Sequence, residues 1–123
     1  MTGSRWDIRI KRAYEPAAAA DGHRVLVDRL WPRGISHERL AGEWLKDVAP
    51  STALREWFGH RPERWAGFVA RYRAELEANP APLERLRGLA ADGPLTLVYG
   101  ARDERHNEAV VLRDCLLGRP TPA

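Results

Sequence analysis

Alternating apolar and polar residues predict the strands of this chain. In "WDIRIKRAY", Trp6, Ile8 and Ile10 share one face and charged residues occupy the other, which predicts a first strand with one solvent-facing side, near a sheet edge. "RVLVDRLW" has a continuous apolar centre, Val25 to Val27, which is typical of a strand covered on both faces. "LTLVYG" predicts another buried strand near the C-terminus.

Apolar residues spaced by three and four predict the helices. The clearest stripe runs through "PERWAGFVARYRAELEANP", where Asn79-Pro80 should end the helix, and a further helix should start at Pro82. "TALREWF" predicts a short helix with Ser51 as its N-cap and Gly59 as its terminator. "EAVVLRDCLL" predicts the last helix.

Residues 43–49, within the segment "EWLKDVAPS", fit either a short strand or a helical face. A strand is favoured because the segment is short and lies between Gly42 and Pro50. Strands separated by helical segments predict an α/β domain with a mostly parallel sheet of three or four strands. We expect a single domain over 1–123, with its core at about 6–118 and a mobile tail at 119–123.

Composition narrows the class of protein. Hydrophobic residues make up 44% and charged residues 30% of the chain, which is ordinary for a globular domain. The longest apolar runs are far shorter than the roughly 20 residues of a membrane-spanning helix, and the N-terminus lacks the apolar stretch of a signal peptide. We therefore expect a cytoplasmic protein without a membrane partner. The lone Cys115 is expected to be a structural thiol.

The formal net charge is +3, and all basic residues except Lys11 and Lys46 are arginines. This excess is mild, although arginine suits bidentate binding of phosphate and carboxylate groups. The four histidines lack metal-ligand spacing, and neither a dinucleotide fingerprint nor a P-loop is present, so no metal or cofactor is predicted.

Two polar segments follow the predicted strands and form the candidate site. "DRLWPRG" carries a Pro-Gly turn after the second strand, with Ser36 beyond it as the N-cap of a short helix, and "YGARDERHN" follows the last strand. Ligands of open α/β sheets bind beyond the carboxyl ends of the strands. If the two strands are neighbours, these segments converge on one crevice whose arginines and helix N-termini favour an anion.

The candidate residues fall into two groups. The acid–base candidates are Asp28, Asp103 and His60. The ligand-binding candidates are Arg29, Trp31, Arg33, Lys46, Tyr99, Arg102 and Asn107.

Structural roles compete with these assignments. Asp28 can pair with a neighbouring arginine, and both Asp103 and Asn107 are residue types that cap helices. Tyr99 can pack in the core, and Trp31 can pack against the sheet rim instead of covering a ligand. His60 lies between two predicted helices, where a contact between helices competes with proton transfer.

Two functional hypotheses follow, with a purely scaffolding role as a third. The first is an enzyme or binding protein for an anionic small molecule, phosphorylated or nucleotide-like; whether it catalyses a reaction stays open. The second is a nucleic-acid-binding module in which arginines contact phosphates and Trp31 stacks on a base. The remaining tryptophans of the helical and ambiguous segments, Trp44, Trp57 and Trp65, are expected in the core.

Three long segments also carry a family resemblance. "VLVDRLWPRGIS", "WLKDVAPSTALREWFGHRPERW" and "LTLVYGARDERHNEAVVL" together resemble the YeaO-like family of small bacterial proteins, domain of unknown function 488. The resemblance runs from about Ile8 to Leu117 and implies a compact α/β fold, but it supplies no reaction. The signature residues that it implies include Asp28, Arg29, Trp31, Arg33, Lys46, Arg55, Phe58, His60, Tyr99, Asp103 and Asn107.

Overall fold

The computed structural model describes residues 6–122, and in them four parallel strands form one sheet. The strand order is β1-β4-β2-β3, so that β1 lies at an edge as predicted. The strands are β1 (Ile8–Arg12), β2 (His23–Leu26), β3 (Glu43–Trp44) and β4 (Leu95–Tyr99). The predicted α/β class and the mostly parallel sheet are confirmed.

Helices connect the strands. They are α1 (His37–Leu40), α2 (Thr52–Phe58), α3 (Trp65–Ala78), α4 (Pro80–Asp92) and α5 (Glu108–Leu116). The predicted N-caps are confirmed, because the Ser36 side chain accepts a hydrogen bond from the Arg39 N–H and the Ser51 side chain accepts one from the Leu54 N–H. α4 begins at Pro80 rather than Pro82, since proline is well tolerated in the first turn of a helix.

β4 is the centre of the sheet. It pairs in parallel with β1 on one side and with β2 on the other, and all five of its residues are buried. Pairing continues past the end of β2, where the Val27 N–H donates to the Val98 carbonyl at 3.0 Å. The segments that follow β2 and β4 therefore begin next to each other, at the carboxyl ends of the parallel strands.

The two faces of the sheet are covered unequally. Side chains alternate along a strand, so Val25 and Leu97 face the larger core, which α2, α3, α4 and α5 cover. Leu26 and Val98 face a smaller cluster beside α1. The buried residues of the larger face include a run of aromatic rings from α2 and α3, namely Phe58, Trp65, Phe68 and Tyr72.

The favoured strand is present in the ambiguous segment 43–49, but it is only the two residues of β3 long. A 3-10 turn follows at Lys46–Val48. The expected core position of Trp44 is wrong, because Trp44 is 37% exposed. β3 lies at the sheet edge, and the Trp44 Nε1 donates to the Asp28 carbonyl at 2.8 Å instead of entering the core. Trp65 is buried as predicted.

The residues that follow α5 contact α3 and α5. Asp114 accepts hydrogen bonds from the Arg119 Nε and the Thr121 hydroxyl, both at 2.9 Å. The Trp65 Nε1 donates to the Pro122 carbonyl at 3.0 Å. Mobility of the tail stays a prediction, and residue 123 lies outside the described residues. Over residues 6–122, no helix has the length and apolar character needed to cross a membrane.

Gly42 is the residue that lets β3 approach β2. A Cβ atom at this position would lie 2.3 Å from the Arg24 carbonyl oxygen, so Gly42→Ala has to displace the backbone of β2. We expect this substitution to lower the free energy of unfolding by about 1–3 kcal/mol, measured by urea denaturation.

Gly88→Ala is the matched control, because Gly88 lies in α4 and a Cβ there meets no atom within 4 Å. The control should raise the free energy of unfolding by up to about 1 kcal/mol through helix propensity. Equal effects of the two substitutions would contradict a tight contact between Gly42 and β2.

Candidate functional site

A pocket of about 280 Å³ lies beyond the carboxyl ends of β2 and β4. The segments after these two strands form part of its wall, and residues of α2, α3 and α5 complete it together with Tyr14, Pro50 and His60. Its polar lining consists of Asp28, Arg29, Arg55, His60, His106, Asn107 and Glu108. Its aromatic lining consists of Tyr14, Trp31, Phe58 and Phe68.

A hydrogen bond joins the two loops that were predicted to converge. The Gly100 N–H, just after β4, donates to the Asp28 Oδ2, just after β2, at 2.9 Å. A Cβ atom on residue 100 would lie 3.0 Å from that oxygen, so glycine leaves room for the bond. The predicted meeting of the two loops is confirmed, and Asp28 is held by a backbone N–H rather than by an arginine.

Glu108 is the first residue of α5 and faces the same pocket. Its Oε2 atom is buried and has no hydrogen-bond partner among the described residues. Burial and then the nearby Asp28 carboxylate raise the pKa of Glu108 well above its usual value. Glu108 therefore holds its proton to a higher pH than an ordinary glutamate and forms a carboxyl pair with Asp28.

Arginine side chains contribute to the pocket in two ways. The Arg29 Nε donates to the Pro50 carbonyl at 2.9 Å, so this guanidinium fastens the segment before α2 to the pocket wall. The Arg55 guanidinium, on the exposed side of α2, makes no hydrogen bond or ion pair with any residue between 6 and 122. Its charge is therefore available at the solvent side of the pocket.

His106 lines the pocket and is oriented by Asp103. The Nδ1 of His106 lies 2.9 Å from the Asp103 Oδ2, and the imidazole packs edge-on against Trp65. The hydrogen bond from His106, followed by the one from the Arg105 N–H, lowers the pKa of Asp103. Asp103 itself does not line the pocket, so its predicted acid–base role would act through His106.

Asn107 both lines the pocket and caps α5, because its Oδ1 accepts a hydrogen bond from the Val110 N–H at 3.1 Å. Trp31 likewise combines the two roles weighed for it. It lines the pocket while its Nε1 donates to the Ile35 carbonyl at 2.5 Å. His60 also lines the pocket, with a backbone φ of 58°, a left-handed conformation that few non-glycine residues adopt.

Four of the predicted ligand-binding residues lie outside the pocket lining. Tyr99 is buried in the core, and burial raises its pKa to about 12. Arg33 and Arg102 are exposed, and the Lys46 ammonium lies 4.7 Å from the centre of the Trp44 ring. A role of these four residues in binding stays a prediction.

Three polar lining residues were not among the predicted site residues: Arg55, His106 and Glu108. Arg55 belongs to the family signature that the resemblance implies, which was the available signal. Glu108 directly follows Asn107, a position where an acidic residue is ordinarily explained by the helix dipole. His106 lies within the predicted loop "YGARDERHN", but the sequence cannot show which of its side chains faces inward.

The polar groups of the pocket can share a proton and can bind a charged ligand. The carboxyl pair offers one O–H donor together with several acceptor oxygens, and Arg55 offers a cation. No serine, threonine or cysteine is among the residues that line the pocket. Within residues 6–122, no group of three or more His, Cys, Asp or Glu side chains is arranged to hold a metal ion.

Comparison with known proteins gives matches over nearly the whole chain. The model of the inactive DUF488-N3 subclade, DUF488-N3i, matches residues 7–121. The chain is 46% identical over 111 residues to the uncharacterized protein YeaO of Escherichia coli, which covers 89% of this chain and 96% of that protein. It is 45% identical over 113 residues to an uncharacterized protein of Mycobacterium tuberculosis, with coverages of 91% and 95%. No solved structure gives a significant match.

Replacement of Glu108 should change how stability depends on pH. Because the pKa of Glu108 is higher in the folded than in the unfolded chain, the folded state binds the proton more tightly between these two values, and stability is lost as pH rises through that window. Each pH unit within the window costs about 1.4 kcal/mol. Glu108→Gln cannot ionise and should lack this loss.

The measurement compares urea unfolding of the wild type and Glu108→Gln from about pH 5 to about pH 8. Wild-type stability should fall relative to the variant as pH rises. Glu104→Gln, on the exposed part of the same loop, serves as the control and should follow the wild type. Parallel profiles for wild type and Glu108→Gln would show that Glu108 is ionised in the folded protein.

Proposed function

The chain belongs to the YeaO-like family of DUF488 proteins. We propose that its pocket binds an anionic small molecule, phosphorylated or nucleotide-like. The observation that carries the proposal is the guanidinium of Arg55, which lines the pocket and has no partner among residues 6–122. A guanidinium binds phosphate or carboxylate oxygens through two parallel hydrogen bonds, and such bonds are stronger than those between neutral groups.

The charge balance of the pocket supports an anionic ligand. Arg29 and Arg55 contribute two positive charges, and Asp28 contributes one negative charge. Glu108 adds no charge while it keeps its proton. A net positive pocket attracts anions and raises their local concentration.

Binding is favoured over catalysis for two reasons. The matched family is described as inactive, and that description supports a protein that retains a pocket without turnover. The pocket lining also lacks a hydroxyl or thiol nucleophile of the serine, threonine or cysteine type. The acid–base groups of the pocket, Asp28, Glu108 and His106, then act in recognition through hydrogen bonds.

Arg55→Ala should weaken the binding of nucleoside monophosphates. It should not lower the melting temperature of the unbound protein, because the Arg55 side chain is exposed and makes no hydrogen bond or ion pair among the described residues. Loss of charge-assisted hydrogen bonds corresponds to an increase in Kd of about 10- to 100-fold, measured by isothermal titration calorimetry with AMP. Adenosine, which lacks the phosphate, should bind as weakly to the wild type as AMP binds to the variant.

Arg61→Ala is the matched control, because Arg61 is an exposed arginine outside the pocket lining. It should leave the Kd for AMP unchanged. An equal loss in both variants would indicate a nonspecific basic surface. The proposal fails if a thermal-shift screen of nucleotides and phosphorylated metabolites at millimolar concentration gives no stabilisation of the wild type.

A nucleic-acid-binding role is the second candidate, and one observation favours it. Trp44 is 37% exposed, and Lys46 lies against its ring, a combination suited to a stacked base and its phosphate. Fluorescence anisotropy with a labelled single strand tests this role. Binding at low salt that weakens steeply as salt rises, and that Trp44→Ala abolishes, would favour nucleic acid over a small molecule.

A further inference from the structure

The carboxyl pair leaves hydrogen-bonding capacity that the protein does not use. Asp28 accepts the Gly100 N–H through Oδ2 at 2.9 Å, and its only other side-chain partner among the described residues is the Glu108 carboxyl. The Glu108 Oε2 is buried without a partner from residues 6–122. An unsatisfied buried polar atom destabilises the unbound pocket, so a ligand that supplies the missing hydrogen-bond partner gains affinity there.

Aromatic rings lie in the same pocket as the carboxyl pair. Phe58 and Phe68 stack with their ring centres 4.6 Å apart, and both line the pocket together with Tyr14 and Trp31. Such rings suit the flat face of another ring, and they do not suit a fully hydrated cation or a flexible polar chain. Hydrogen-bonding groups beside an aromatic wall therefore favour a planar ligand that carries polar atoms on its edge.

We propose that Asp28 and Glu108 recognise the amino-bearing edge of a planar ring that contains nitrogen atoms. This inference rests on the proposed function, so the ligand is a phosphorylated molecule that carries such a ring. The Glu108 carboxyl donates its O–H to a ring nitrogen, in place of the hydrogen bond that it shares with Asp28 in the unbound protein, while the Asp28 carboxylate accepts an N–H of the adjacent amino group. One donor and one acceptor side by side match an edge in which a ring nitrogen and an amino group share a carbon. Arg55 binds the phosphate at the solvent side.

The volume of the pocket limits the size of this ligand. About 280 Å³ lies just below the range of about 300–1,000 Å³ that holds drug-sized ligands. A nucleoside monophosphate is of suitable size, whereas a dinucleotide would extend beyond the pocket. The probes are therefore mononucleotides.

The test compares matched ligands on the full-length wild-type protein by isothermal titration calorimetry. AMP and IMP share the sugar and the phosphate but differ at the ring edge, where IMP has a carbonyl instead of the amino group; CMP and UMP form a second such pair. We expect AMP and CMP to bind at least about tenfold more tightly than IMP and UMP, because the carbonyl places an acceptor against the ionised Asp28.

The preference should depend on the carboxyl pair. In Glu108→Ala the ratio of the two Kd values within each ligand pair should fall below about threefold, while the requirement for phosphate remains. Circular dichroism confirms that the variant is folded, and the comparison of ligands on the wild type does not depend on any variant.

The outcomes separate this inference from the proposed function. If AMP and IMP bind equally while Arg55→Ala still weakens both, the pocket binds anions but the carboxyl pair does not recognise an amino group. If ribose 5-phosphate binds as tightly as AMP, the carboxyls bind sugar hydroxyls and the inference is wrong. If no mononucleotide binds but another phosphorylated metabolite does, the proposed function stands and the inference fails.

Discussion

The parallel pairing of β2 with β4 is the constraint on which the pocket depends. Because these two strands run side by side and end at the same end of the sheet, Asp28 and Gly100 are joined by a hydrogen bond although they are 72 positions apart in the sequence. The long return through α2, α3 and α4 is buried against one face of the sheet. The helices that stabilise the sheet thus also supply the aromatic wall of the pocket.

Local patterns of the sequence predict the strands and helices well because their causes are local. Ser51 caps α2, and Asn107 caps α5, through bonds that span only three residues. The strand β3 is harder to predict because it has only two residues and pairs with β2 alone, at the edge of the sheet. This edge position leaves Trp44 partly exposed instead of packed in the core. A tryptophan in an apolar pattern does not show which side of an edge it occupies.

The candidate site could be predicted only in outline. The loops after β2 and β4 follow from topology, whereas Arg55 and Phe58 enter the pocket from α2, whose position depends on long-range packing against α3. Net charge favoured cations at the site, but the most perturbed acid is Glu108, whose environment arises from burial beside Asp28. Such electrostatic coupling has no signature in residue spacing, because it depends on the distance between groups that are 80 positions apart in the sequence.

The tryptophans differ in their position relative to the pocket. Trp31 lines the pocket, and Trp65 contacts the imidazole of His106, so two indoles lie at or next to the place where a ligand would displace water. Trp57, by contrast, is flanked by the guanidinium groups of Arg64 and Arg71, away from the pocket lining. Filling the pocket would therefore change the surroundings of Trp31 and Trp65, whereas Trp57 lies outside the pocket lining.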